Sequence, residues 1–358
     1  MSRRRTSLAA ALTLGLIAAL LSALTINPSQ AAGEKSSAKW PVSSYVVGTD
    51  KLQVKGKAPG GRRKVAMQVK TKSGWQSLKT KRTKRNGSFN LQARLDWVGT
   101  HKARVVAQGR PGFSKSKKIS VSPGYAPTGS AKNWDYLGKS ASTSPRFNPC
   151  SAITYRVNSD QVGPGGLAAV QYATSLISQA TGIRFKYKGT TDFIPFNNST
   201  KRPPGNADMF ISWNTTAQSE VFQQASPSVA GYGGALWGFP ARDARGKRAV
   251  MTSEAGLILK TEAYGIFNQS LESADTNRPP AARLILHELG HAMGLGHVTA
   301  PEEVMWGTNW APDPDGLVRS RFSAGDFRGM DKVGFGAGCL KPLRNGRVAP
   351  AQMPAPMP

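Results

Sequence analysis

Short runs between Lys39 and Val121 alternate apolar with polar residues: YVVG, KLQVKG, RKVAMQVK, GWQSLKT, GSFNLQARL, KARVVAQG and KKISVS. Gly, Pro, Asn or Asp separates them. A period of two puts one face of each run on a core, and strands spaced this way predict a small Ig-like β-sandwich over 39–122. Trp75, Phe89 and Trp97 are expected in its core, and His101 reads as an ordinary surface or core histidine. Residues 123–146 are rich in Pro, Gly, Ser and Thr without apolar periodicity and read as a linker. The pattern then changes. ITYRVN (153–158), IRFKYKG (183–189), ADMFISW (207–213) and GLILK (256–260) read as strands, and GYGGALWGF (231–239) as a short edge strand. Leu167, Val170, Ala173, Leu176 and Ile177 recur at helical spacing up to Thr181 and Gly182. A second helix covers 279–294, with proline at its start and glycine at its end, and a short one covers 323–334. Strand, helix, strands, then two helices describes an α/β (α+β) domain with a twisted, mainly parallel sheet over 147–340. Residues 341–358, ending PAQMPAPMP, read as a disordered tail.

Charge sharpens the division. Of the formal net charge of +28, most lies early: 33–130 hold 22 Lys and Arg against 3 acidic residues, whereas 131–358 hold 23 against 17. So basic a segment attracts polyanions, with an anionic cell-wall polymer, acidic polysaccharide or free DNA as the candidates and no specific nucleic acid. Arg3, Arg4 and Arg5 precede an apolar run over 8–26, and Ser29 and Ala31 suit cleavage before Ala32. Residues 1–31 therefore read as a signal peptide, with an uncleaved anchor as the rival, and the protein is expected to be secreted or wall-associated and monomeric. No later run reaches the ~18 apolar residues of a membrane span. Only two cysteines occur, Cys150 and Cys339, and outside the cell they are most simply a disulfide. The alternative is a Cys150 thiolate capping a metal site.

Three of the four histidines lie in HELGHAMGLGH, at His287, His291 and His297. On a helix, i and i+4 share a face, so His287 and His291 can present two nitrogens to one ion. Gly294 permits the turn that brings His297 round as a third. Three ligands leave an open position on zinc, as catalytic sites do. Glu288 is then placed as general base for hydrolysing an amide without a covalent intermediate.

With Met305 behind it, this stretch resembles the extended H-E-x-x-H-x-x-G-x-x-H signature and methionine turn of the metzincin clan. HVTAPEEVM, from His297 to Met305, is similar to the matrixin branch, and the element order over 147–340 runs in the same sequence. The resemblance implies a secreted zinc endopeptidase with one zinc on His287, His291 and His297 and with Glu288 as base. Met305 would floor the metal, and Asp326 would anchor the methionine turn. Gly233, Gly234, Ala235 and Leu236 would belong to an edge strand that takes an extended peptide, and the stretch 306–322 would wall a specificity pocket. Three departures stand out: no cysteine lies between the signal and Cys150 to act as a propeptide switch, no histidines are spare for a second zinc, and Trp306 replaces the usual tyrosine. Calcium near Asp313 and Asp315 is possible but not expected, because DPDG is as easily a turn. The alternative function is a wall-bound binding or adhesion protein whose zinc domain does not catalyse.

Overall fold

The period-two runs of the basic segment form eight strands: β1 (Ser37–Lys39), β2 (Ser44–Val46), β3 (Leu52–Lys57), β4 (Lys64–Thr71), β5 (Gly74–Arg82), β6 (Ser88–Ala93), β7 (Gly99–Ala107) and β8 (Lys117–Ser122). This is a computed structural model, and it describes residues 37–58, 60–109, 113–197, 203–307, 310–343 and 349–350. The expected signal peptide lies outside the described residues. The strands assemble as one sheet in the order β1-β3-β6 and another in the order β2-β8-β7-β4-β5. Alternation along β4 buries Val65, Met67 and Val69 and turns Lys64, Gln68 and Lys70 outward, so both sheets share one apolar cluster with Phe89 and Trp97 inside it. Trp75 is not in that core. It pairs across the strands with Lys70 on the outer face, where the Arg104 guanidinium lies 4.1 Å from its ring centroid. An aromatic at a strand position of outward parity must leave the core whatever its hydrophobicity. His101 is buried, with Nε2 2.8 Å from the Trp97 carbonyl.

Further along the chain come β9 (Pro145–Arg146), β10 (Ile153–Asn158), helix α1 (Gly163–Thr181), β11 (Phe185–Thr190), β12 (Met209–Asn214), α2 (Glu220–Gln224), β13 (Gly231–Arg242) and β14 (Arg248–Lys260). They are followed by α3 (Thr261–Tyr264), β15 (Glu272–Ser273), α4 (Ala281–Met293), β16 (Val318–Arg319), α5 (Ala324–Val333), β17 (Lys341–Pro342) and β18 (Ala349–Pro350). The main sheet runs β11-β10-β12-β14-β13. Its first four strands are parallel, and β13 is antiparallel to β14. The class is therefore mixed α/β, with a mostly parallel sheet and few helices.

α1 lays Val170, Ala173, Ile177 and Ala180 on one face of the sheet beside Leu284, Ile285 and Leu289 of α4. It stops at Gly182, whose φ of 77° only glycine adopts without strain. The disulfide Cys150–Cys339 joins the residues just before β10 to those after α5, with Cα atoms 5.4 Å apart, so Cys150 is no metal cap. The two cores abut: the Trp97 and Phe335 rings are 5.5 Å apart, and Val98 N–H donates to Gln179 O. All described residues belong to one compact unit. Among them, no helix is long and apolar enough to cross a membrane.

Two stretches differ from the expectation of loose chain. In the stretch read as a linker, Tyr125 Oη–H donates to Phe322 O at 2.9 Å, and Tyr136 bridges to Leu295. Of the tail, only 341–343 and 349–350 are described, and there β17 and β18 pair with β13; the rest of that expectation lies outside the described residues. The backbone groups of an open sheet edge reward any chain that can reach them, which composition alone does not reveal.

Candidate metal centre

All thirteen residues of α4 are buried, so its ends must be satisfied within the protein. At the C-terminus Gly294 adopts φ 106°, and its N–H returns to Gly290 O. A Cβ there would lie 2.3 Å from Pro145 O, so both conformation and space require glycine. The turn sends the chain back past the segment before β9. Gly296 N–H donates to Asp135 O, and Leu137 N–H to Gly294 O. That segment thus helps fix the loop carrying His297, a role its composition does not signal.

The three imidazoles converge. Nε2 of His291 lies 3.0 Å from Nε2 of both His287 and His297, and the His287–His297 separation is 3.2 Å. His287 Nδ1–H donates to Val304 O at 2.7 Å, and His291 Nδ1–H to Leu295 O at 2.8 Å. Those bonds hold both rings in the tautomer whose Nε2 carries a lone pair and no proton. Facing lone pairs repel unless a cation lies between them, so the donor set fits a metal ion, and among the described residues these three form a group able to hold one. Burial and the neighbouring imidazoles hold His287 well below its usual pKa. Burial and His297 push His291 down to about 3, and burial lowers His297. All three rings are neutral, as ligands must be.

Glu288 is buried, and among the described residues its Oε1 has no hydrogen-bond partner. Burial pushes its carboxyl up to about 8. It lies against β13: a Cβ on Gly231 would come 2.8 Å from Glu288 Oε1, and one on Gly233 only 2.1 Å from Glu288 O. Glycines therefore let the sheet edge press against the helix. Gly233, Gly234, Ala235 and Leu236 all fall in β13, which extends over Gly231–Arg242. The edge facing away from β14 is paired to β18 and β17 from Trp237 onward, and among the described residues no strand pairs with it over 231–236.

Beneath the histidines, Met305 packs where a Gly290 side chain would be, since a Cβ on Gly290 would lie 2.2 Å from its sulfur. The turn carrying it is held from α5: Asp326 accepts from the N–H groups of Val304 (2.8 Å), Met305 (3.3 Å) and Ser323 (2.9 Å). Sequence reading passed over three partners. Glu303, fully buried, accepts from Gly325 N–H and Asp326 N–H. Trp310 donates from Nε1 to Val304 O at 3.0 Å and sets its ring edge-on to His287. Arg283 lies one turn before His287, donates to Arg319 O and Glu302 O, and stacks over Trp310. The position of Glu303 two residues before Met305 was the only available signal. The carboxylates of Asp313 and Asp315 are taken by Arg319, and Asp313 also by Arg321.

No family model matches this chain, and no curated protein matches it.

Proposed function

We propose that the protein is an exported zinc-dependent endopeptidase of matrixin-like metzincin type. The observation that carries this reading is the convergence of the three Nε2 atoms, two of them held unprotonated by Nδ1–H bonds to backbone carbonyls, on the helix that also carries Glu288, whose buried Oε1 has no hydrogen-bond partner among the described residues. A tetrahedral zinc ion, with nitrogens at about 2.1 Å, separates them by roughly 3.4 Å, within a few tenths of the spacing found. Held by His287, His291 and His297, zinc supplies a Lewis acid and makes water acidic near neutral pH. Glu288 takes the proton from the attacking water and passes it to the leaving amine. The Glu288 carboxyl, raised by burial, would be drawn back towards its ionised form by such a cation, the form a base needs. Backbone groups on the open edge of β13, from Gly231 to Leu236, hold an extended peptide as an added strand. Met305 and Asp326 keep the floor under the ligands, and Trp306 with residues 310–322 walls the specificity pocket.

The Cys150–Cys339 disulfide suits an extracellular setting. The outer face of the five-stranded sheet, which carries Trp75 together with Lys64, Lys70, Lys102, Arg104 and Lys118, gives a basic surface for an anionic wall polymer. The test uses casein with the mature protein, with the Glu288→Ala variant and with a zinc chelator. Cleavage is expected only in the first case and should return on adding zinc to the chelated protein. Activity that survives either treatment rules out this mechanism. A metal-loaded parent protein that cleaves nothing leaves the wall-binding protein as the better reading.

A further inference from the structure

The two sheets of the basic segment leave open edges on the same flank. β5 ends the five-stranded sheet and β6 the three-stranded one, and among the described residues no strand pairs with the outer edge of either. Between them lies a hollow of about 580 Å³, lined by Lys51, Leu78, Lys79, Lys81 and Arg94 together with β6. Leu78 and Arg94 also line a second hollow of about 370 Å³, so the two adjoin. This second hollow lies where β5 meets the residues before β10, and Arg184, just ahead of β11, lines it too. The cleft thus follows the edge of β5 from Gln76 to Lys81. At about 3.4 Å per residue that is roughly 17 Å, room for an extended segment of the same length.

Charge on this cleft is one-sided. Lys51, Lys79, Lys81, Arg94 and Arg184 are exposed along it against a single carboxylate, that of Asp96. Among the described residues none of the five cations forms an ion pair. Lysines along an open edge repel a second copy of the same edge, which disfavours pairing of the chain with itself. They attract an anion instead. The edge narrows the choice, because a strand presents N–H and C=O groups in alternation. A phosphate polymer has acceptors for the N–H groups but no donor for the carbonyls. An acidic peptide supplies both, and its carboxylates meet the lysine and arginine side chains while its backbone extends the sheet.

We propose that this cleft takes an acidic, extended segment of another protein, which adds to the free edge of β5 as a further strand. The docking does not depend on the hydrolytic reading, and its surface is separate from the outer face that carries Trp75. The probe is an end-blocked ten-residue peptide alternating glutamate with threonine, offered to the full chain carrying Glu288→Ala so that hydrolysis does not intervene. At physiological salt it should bind saturably and slow hydrogen exchange at the outward amides of β5 at least tenfold. The same peptide N-methylated at every residue keeps its charge but has no N–H to give, and it should bind at least tenfold more weakly. Lys79→Glu, Lys81→Glu and Arg94→Glu together should weaken binding of the unmethylated peptide at least tenfold. Lys70→Glu, Lys102→Glu and Lys118→Glu, equal in charge, should weaken it at most threefold. No binding, unchanged exchange in β5, or equal losses in the two triple variants overturns the docking. Equal affinity of the methylated peptide overturns it too, since charge alone then holds the ligand, as on a track for polyanions. That comparison uses neither triple variant, so it still decides the matter if one of them fails to fold.

Discussion

At the scale of single residues, the turn carrying Met305 rests on two buried carboxyls. Glu303 and Asp326 lie together, and burial followed by the Asp326 charge pushes Glu303 up to about 9. Burial also raises Asp326, against the pull of its backbone donors and the Arg283 guanidinium. In the unfolded chain a glutamate loses its proton near ~4.3. Between that value and about 9 the folded protein holds a proton the unfolded chain has released, so stability falls as pH rises through this window. Glu303→Gln is neutral throughout. It should be less stable in absolute terms, because an amide nitrogen replaces one acceptor, yet its stability should decline less between pH 5 and pH 9. Urea unfolding of parent and variant at several pH values measures this, and parallel profiles would show that Glu303 does not titrate there. The convergence of His287, His291 and His297 was legible from the sequence, because one helical turn and a glycine set their spacing. Glu303, Trp310 and Arg283 were not, because their partners are backbone groups of distant turns that only the folded chain assembles.

Among elements, periodicity identified α1 and α4, whose proline and glycine punctuation also marked the ends. It shortened the β13–β14 hairpin. The strands run twelve and thirteen residues, and they are joined at Asp243, whose N–H bonds Lys247 O, through Gly246 at φ 78°. The stretch ARDARGKRAV is too charged to read as strand, because a half-exposed ribbon needs little apolar alternation. Cys150 and Cys339, 189 residues apart, clamp the two ends of this domain. Arg146 Nη1–H to Gly338 O and Leu340 N–H to Asn148 Oδ1 hold the same ends without a covalent bond. Replacing both cysteines by alanine should therefore fall short of the ~5 kcal/mol that chain entropy allows, lowering Tm by roughly 5–10 °C. If the three histidines hold zinc as proposed, its stoichiometry should stay at one per chain. Calorimetry and metal analysis check the two statements separately, and loss of the metal would tie Cys150 to the site.

For the whole molecule, sequence showed that the positive charge is concentrated early but not on which surface it lies. Two sheets share the segment. On the five-stranded one, Lys70, Lys102 and Lys118 stand on the face that holds Trp75, where Gln68 accepts from Arg104 Nε–H. Only the pairing of β4 with β5 and β7, and of β7 with β8, brings these residues together. If an anionic polymer binds this face, reversing Lys70, Lys102 and Lys118 to Glu should shift elution from a polyphosphate column to much lower salt. It should also flatten the dependence of log K on log salt, since each phosphate contact contributes a slope of about −0.7 to −0.9. Reversing Lys55, Lys84 and Arg85 changes the net charge equally but touches other surface. A diffuse cloud of charge predicts the same shift for both triple variants. A bound face predicts a larger shift for the first, so the difference between the two separates an addressed surface from a merely basic protein.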